Sequence, residues 1–233
     1  DKTEKKEEFT LRYVDERLLS MAPVALMQVK KEIEYMMSLV EKNIGLSFYA
    51  EESKSIDDGD EIHKNEDIID FTNTALTDFL IKLSVDVEQS DETVIGSYFH
   101  VLNDLERIGD HAENFFGIVE DMSRKKLSFS AQAQEKIRKM YDKVTEMFSV
   151  SREAFETQDK TLLTRLSELE NDVDGLKRKL TAEHFARLAE GQCSVECSPY
   201  YSSLISGLER VADHLVNVGY SITNPTGSQR EAI

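Results

Sequence analysis

Two twelve-residue stretches of this chain are versions of each other. "DLERIGDHAENF" opens at Asp104 and "GLERVADHLVNV" at Gly207. Leu105, Glu106, Arg107, Asp110, His111 and Asn114 fall on Leu208, Glu209, Arg210, Asp213, His214 and Asn217 with one offset, 103 residues. A repeat of that period in a chain of 233 residues constrains the fold more than any single propensity, because the unit formed by the first half must be formed again by the second.

The repeat reaches beyond the charged stretch. At an offset of 104, Ile33, Met36, Val40 and Ile44 fall on Ile137, Met140, Val144 and Phe148. Steps of three and four place each set on one helical face, which reads as core packing in the first helix of each half. Gly (10) and Pro (3) are scarce and apolar residues reach 40%, so long helices with a proper core are expected. Six are predicted. They span about Val24 to Tyr49, Glu61 to Glu88, Glu92 to Arg124 (capped by Ser90 or Asp91), Ser128 or Ser130 to Thr157, Asp159 to Ala189, and Ser198 to Ile222. In the last, Ser198 reads as N-cap and Pro199 as first helical residue. The fold class is all-α, a tandem pair of three-helix bundles related by a pseudo-twofold. Residues 1–23 form a connecting segment, 24–126 and 127–224 the two repeats, and 225–233 a tail.

Each half carries two E-x-x-x-D pairs. These are Glu66/Asp70 and Glu106/Asp110, then Glu170/Asp174 and Glu209/Asp213. The i, i+4 spacing puts both carboxylates of a pair on one helix face, about 5–6 Å apart at Cβ. Asp70 lies as far before the turn near Ser90 as Asp110 lies after it, so both pairs stand about 30 Å from the turn and level with each other. The second half repeats this, and four carboxylates can converge in each half. Hard oxygen donors of this kind suit divalent or trivalent ions such as iron, manganese, zinc or magnesium. The competing reading is solvated helix surface, with Arg107 and Arg210 as salt-bridge partners. His111 and His214, one residue past each Asp, either support a carboxylate from behind or simply pack. His63, His100 and His184 lack repeat counterparts and read as incidental.

The charge, 28 − 45 = −17, argues against nucleic acid and anionic lipid as partners and favours cations. No apolar run approaches the roughly 18–20 residues of a membrane helix, so direct membrane insertion is not expected. Cys193 and Cys197 are either a two-ligand zinc half-site or two dispensable free thiols. No Glu stands three residues before any of the five His, as a ferritin-like di-metal enzyme would require, and no nucleophile constellation or phosphate-cradling Gly loop is present. An enzyme is not expected.

"LNDLERIGDHAEN", "GLERVADHLVN" and the weaker "EDIID" and "ENDVD" resemble the PhoU family, a duplicated three-helix bundle with E-x-x-x-D motifs on the second and third helices of each half. The resemblance covers about residues 24–222. It implies metal binding at the eight motif carboxylates and a part in restraining phosphate uptake and phosphate-responsive signalling. "RYVDERLLSMAPVALMQVKKEI" resembles the segment that joins membrane and PhoU-like parts in bacterial sodium-dependent phosphate transporters of the Na/Pi cotransporter family. On that resemblance the chain is a regulatory domain at the cytoplasmic side of the inner membrane, tethered through an upstream membrane region of the same chain. The alternative is a free-standing regulator acting on a separate phosphate transporter. A homodimer is compatible with either.

Overall fold

The computed structural model describes residues 9–223, so the expected tail at 225–233 and the first residues of the connecting segment lie outside the described residues. Six long helices make up the structure: α1 (Ala22–Ser53), α2 (Gly59–Leu83), α3 (Gln89–Arg124), α4 (Ala131–Thr157), α5 (Leu162–Ala189) and α6 (Ser198–Tyr220). Short 3-10 turns at Glu16–Ser20 and Ser84–Asp86 accompany them, and among the described residues there is no strand.

The predicted stripe is core. Ile33, Met36, Val40, Ile137, Met140 and Val144 are all buried. Helices α1–α3 pack together, α4–α6 repeat the arrangement, and the halves meet chiefly through α3 against α6, with α1 against α4 beside them. One continuous apolar core runs through both halves. Phe48 sits at the crossing, stacked on Tyr141 at 4.2 Å and edge-on to Phe115 at 5.4 Å.

Buried polar pins repeat as well. Ser47 on α1 donates to the Ala112 carbonyl on α3 at 2.8 Å, and its counterpart Ser151 on α4 donates to Leu215 on α6 at 2.7 Å. Each satisfies a buried hydroxyl while fixing the first helix of its half against the third.

α3, α4 and α5 end at Arg124, Thr157 and Ala189 as expected, whereas α1 runs on to Ser53 rather than Tyr49. Lys54, Lys126 and Gln158 take the left-handed conformation that closes α1, α3 and α4. Only α5 ends on Gly191 in that conformation. α2 stops at Leu83 rather than Glu88, where the Ser84 hydroxyl donates to Ile81 and Val87 turns extended. Ser90 and Asp91 fall inside the first turn of α3, and Glu88 takes the cap position. α5 begins at Leu162, after Asp159 accepts from the Thr161 amide and hydroxyl. Ser130 caps α4 through the Ala133 amide. At α6 the cap position belongs to Cys197, not Ser198, whose hydroxyl is engaged by His184.

The connecting segment is held to α1. Glu32, 1% exposed, accepts from the Arg12 and Tyr13 amides at 3.1 and 2.7 Å, and the Arg12 guanidinium lies over the Tyr35 ring.

Candidate metal-binding faces

In the first half four motif carboxylates come within electrostatic reach of one another, but among the described residues no three of them bring oxygens within 4.8 Å of each other. Glu66 and Asp70 come from α2, Glu106 and Asp110 from α3, and Glu113 on α3 joins them. Glu66 is 6% exposed and neither carboxylate oxygen has a hydrogen-bond partner. Burial, then the charges of Asp70, Glu113, Asp110 and Glu106, push its carboxyl up to about 8. Asp70 is raised by burial and then by Asp110, and Glu106 by burial and then by Asp110. Arg107 lies within 3.3 Å of Asp110 and 3.6 Å of Glu106 at the exposed edge and offsets part of the charge.

Glycine makes the depth of Glu66 attainable. A methyl group at Gly109 would lie 2.9 Å from Glu66 Oε2 and 3.1 Å from Oε1, so the carboxylate occupies the space where a larger residue would put its Cβ. In the second half the matching position is Ala212, and the matching carboxylate, Glu170, is only half-buried.

On the second face Asp174, Glu209 and Asp213 each bring an oxygen within 4.8 Å of the others, the spacing of ligands around one ion. Burial, then Glu209 and Asp174, raise Asp213. Lys177 reaches Glu209 at 2.9 Å and stands where a bound cation would compete. Glu170 is not one of the three. The two faces thus differ: one is deep and has oxygens without donors, while the other is shallower and partly neutralised by an ammonium group. Both donor sets are all carboxylate, the chemistry of a hard cation rather than of a thiolate or imidazole site.

The histidines after each Asp stand within electrostatic reach of motif carboxylates, His214 of Glu106 and Asp213 and His111 of Asp110, but the hydrogen bond His214 makes goes elsewhere. His214 Nδ1 bonds Asp104 at 2.8 Å, and Asn217 donates to the same oxygen at 3.2 Å, a bridge from α6 to α3 across the two halves. His111 stacks beside Phe115 and lies 6.1 Å from the His214 ring. Burial, then His214, hold it below the usual imidazole value. The bridge has no twin. Asp104 aligns with Gly207, and there the Phe115 ring comes within 2.4 Å of where a Cβ would stand.

Two residues of this region escaped the sequence reading. Glu113 is seven residues past Glu106 and three past Asp110, on the same helix face, but its repeat counterpart is Val216, so a search for repeated acids passes over it. Asp104 was hidden in the same way by Gly207. His63, read as incidental, bonds Glu113 at 2.9 Å.

Among the described residues no helix is long and apolar enough to cross a membrane. The PhoU domain family matches residues 33–119 and again 137–222. A phosphate-specific transport system accessory protein PhoU homolog 1 from Thermotoga maritima is 23% identical over 203 residues, covering 82% of this chain and 82% of the relative. A homolog from Clostridium acetobutylicum is 24% identical over 196 residues, with 83% and 88% covered. Among solved structures, PhoU from Pseudomonas aeruginosa superposes with a TM-score of 0.79 at 20% identity, covering 84% of this chain and 94% of that one. The phosphate transport system regulatory protein PhoU from Streptococcus pneumoniae also gives 0.79, at 19% identity with 91% and 99% covered.

Proposed function

The chain belongs to the PhoU domain family, and from that premise we propose that it is an accessory regulator of phosphate transport that carries metal ions on its two carboxylate faces. Of the two readings open to the sequence, the relatives support the accessory regulator. Both curated relatives are named as accessory proteins, and each overlaps this chain over four-fifths or more of either length. A binding role, not catalysis, fits the family and the donor sets. The partner is a phosphate transporter at the cytoplasmic face of the inner membrane. Neither a tether upstream of Asp1 nor a homodimer is required for it.

The observation that carries the metal reading is Glu66: a buried carboxylate with two unpartnered oxygens among four other acids. Glu66, Asp70, Glu106, Asp110 and Glu113 would hold an ion in the first half, and Asp174, Glu209 and Asp213 in the second. An ion there favours the charged carboxylates, relieves their repulsion and stabilises the folded state by mass action.

The test is metal content and melting temperature after chelation and then with added iron, manganese, zinc or magnesium. Wild type is compared with Glu106→Gln/Asp110→Asn and with Glu209→Gln/Asp213→Asn. Each pair of substitutions is expected to lose the ion of its own half alone. If no ion raises the wild-type melting temperature more than the mutants', the faces are solvated surface or a dock for a basic partner. The regulatory reading is tested separately, by phosphate uptake in a host lacking its own PhoU-type regulator. Expression of this chain is expected to restrain uptake at high phosphate, and unchanged uptake would refute it.

A further inference from the structure

The two halves serve as controls for each other, and one corner of the first half departs from its twin. At the offset of the core stripe, 104 residues, Glu51 falls on Phe155 and Gln134 falls on Lys30. Phe155 is buried, and Lys30 holds its ammonium 5.8 Å from the centre of that ring while donating to the Glu156 carbonyl at 2.7 Å. The corner at the carboxyl end of α4 is thus closed by an aromatic ring and a lysine. At the carboxyl end of α1 a carboxylate takes the place of the ring, and a neutral amide that of the lysine.

Glu51 is 7% exposed, and the hydrogen bond it accepts from Gln134 Nε2 is a long one, 3.3 Å. Burial raises its carboxyl above the ordinary value, and neither that hydrogen bond nor the charges of Lys54 and Arg138 restore it. Lys54 is exposed and acts through its charge alone, while Arg138 is engaged by Glu52. A buried carboxylate held this loosely is costly until a cation reaches it. Beside it lies a cavity of about 60 Å³, walled by Val119, Met122, Leu127 and Phe129 as well as by Glu51 and Gln134. At about 10–15 Å³ for each water-sized group, it has room for about four to six heavy atoms.

We propose that this corner binds a primary alkylammonium group, with the ammonium on the Glu51 carboxylate and the alkyl stem along Met122, Leu127 and Phe129. The twin corner indicates the chemistry. There the fold supplies the ammonium itself, as Lys30, and sets it over a ring; here it supplies the carboxylate, and the amine comes from outside. The apolar walls favour an ion that carries a stem to bury over a hydrated metal ion. The net charge of −17 draws cations to the molecule. Short aliphatic amines and lysine side chains share this chemistry. The site is separate from the carboxylate faces, being built from the ends of α1 and α3, the loop after α3 and the first turn of α4.

The experiment titrates n-butylammonium chloride into the full chain, freed of metal by chelation and carrying carbon-13 in its methionine methyl groups. Met122 in the cavity wall is the reporter, identified by the signal that Met122→Leu removes. A saturating shift is expected with a Kd of about 0.1–1 mM, within reach of a ligand of about five heavy atoms. n-Butanol, of the same length but uncharged, should bind about tenfold more weakly or worse. Glu51→Gln should weaken ammonium binding by about tenfold or more. Glu51→Phe installs the second-half residue, so melting temperature should hold while binding is lost. Glu52→Gln removes a charge from the same turn of α1 outside the cavity and should change the Kd by less than about twofold. Nα-acetyllysine methylamide identifies the source: tighter binding than n-butylammonium marks a partner's lysine side chain, weaker binding a free amine. An unmoved Met122 signal in the wild type would overturn the proposal. So would butanol binding as tightly as the ammonium, or an affinity indifferent to Glu51→Gln.

Discussion

Glu66 is the residue where folding and the proposed metal binding oppose each other most directly. In the unfolded chain its carboxyl titrates near the ordinary 4.5, and in the folded chain near 8. Between those values the folded state keeps a proton that the unfolded state has released, so stability falls as pH rises through the window and levels off above it. Glu66→Gln stays neutral throughout. In chelated protein the variant is expected to melt above the wild type near pH 8 and to show a flatter decline from about pH 5 upward. Melting temperature against pH for both proteins checks this, and identical slopes would count against it. Added metal should reverse the order, since the ion needs the charge that the glutamine lacks.

At the scale of the helix, the depth of the first face depends on close approach of α2 to α3 at Gly109. Gly109→Ala returns a methyl group to within 2.9 Å of Glu66 Oε2, and the carboxylate, as the end of a flexible side chain, swings outward. Alanine also favours helix over glycine by about 0.5–1 kcal/mol. The variant should be at least as stable as wild type when metal-free, yet bind metal more weakly on its first face than wild type does. Unchanged affinity in a metal titration would show that the depth of Glu66 is irrelevant. Much of this was legible beforehand. Counting residues from the α2–α3 turn brings Asp70 level with Asp110, because helix rise is constant. The unequal depth was not legible, since a glycine aligned with an alanine looks like a conservative difference until a neighbouring carboxylate is seen resting on it. The ends of α1 and α2 were hidden for a related reason: their stop signals lie in backbone conformation and not in residue type.

Across the whole molecule the apolar core is continuous, so the two halves should not unfold separately. Phe48→Ala removes the ring shared by α1, α3 and α4, and a loss of about 3–5 kcal/mol is expected in a single cooperative transition. Two resolved transitions in calorimetry would mean that the halves are independent. The duplication was readable because core positions and motif acids recur at fixed offsets. The joint between the halves was not, because its main polar bridge, His214 and Asn217 on Asp104, is made once and answered on the other side by Phe115 against Gly207. Two identical units meeting on a true twofold could not have this joint, since both would present aspartate or both glycine. It became attainable only when the copies shared one chain and could drift apart. A body that settles across the axis meets unequal flanks, and has one way round to sit where a symmetric pair would have offered two.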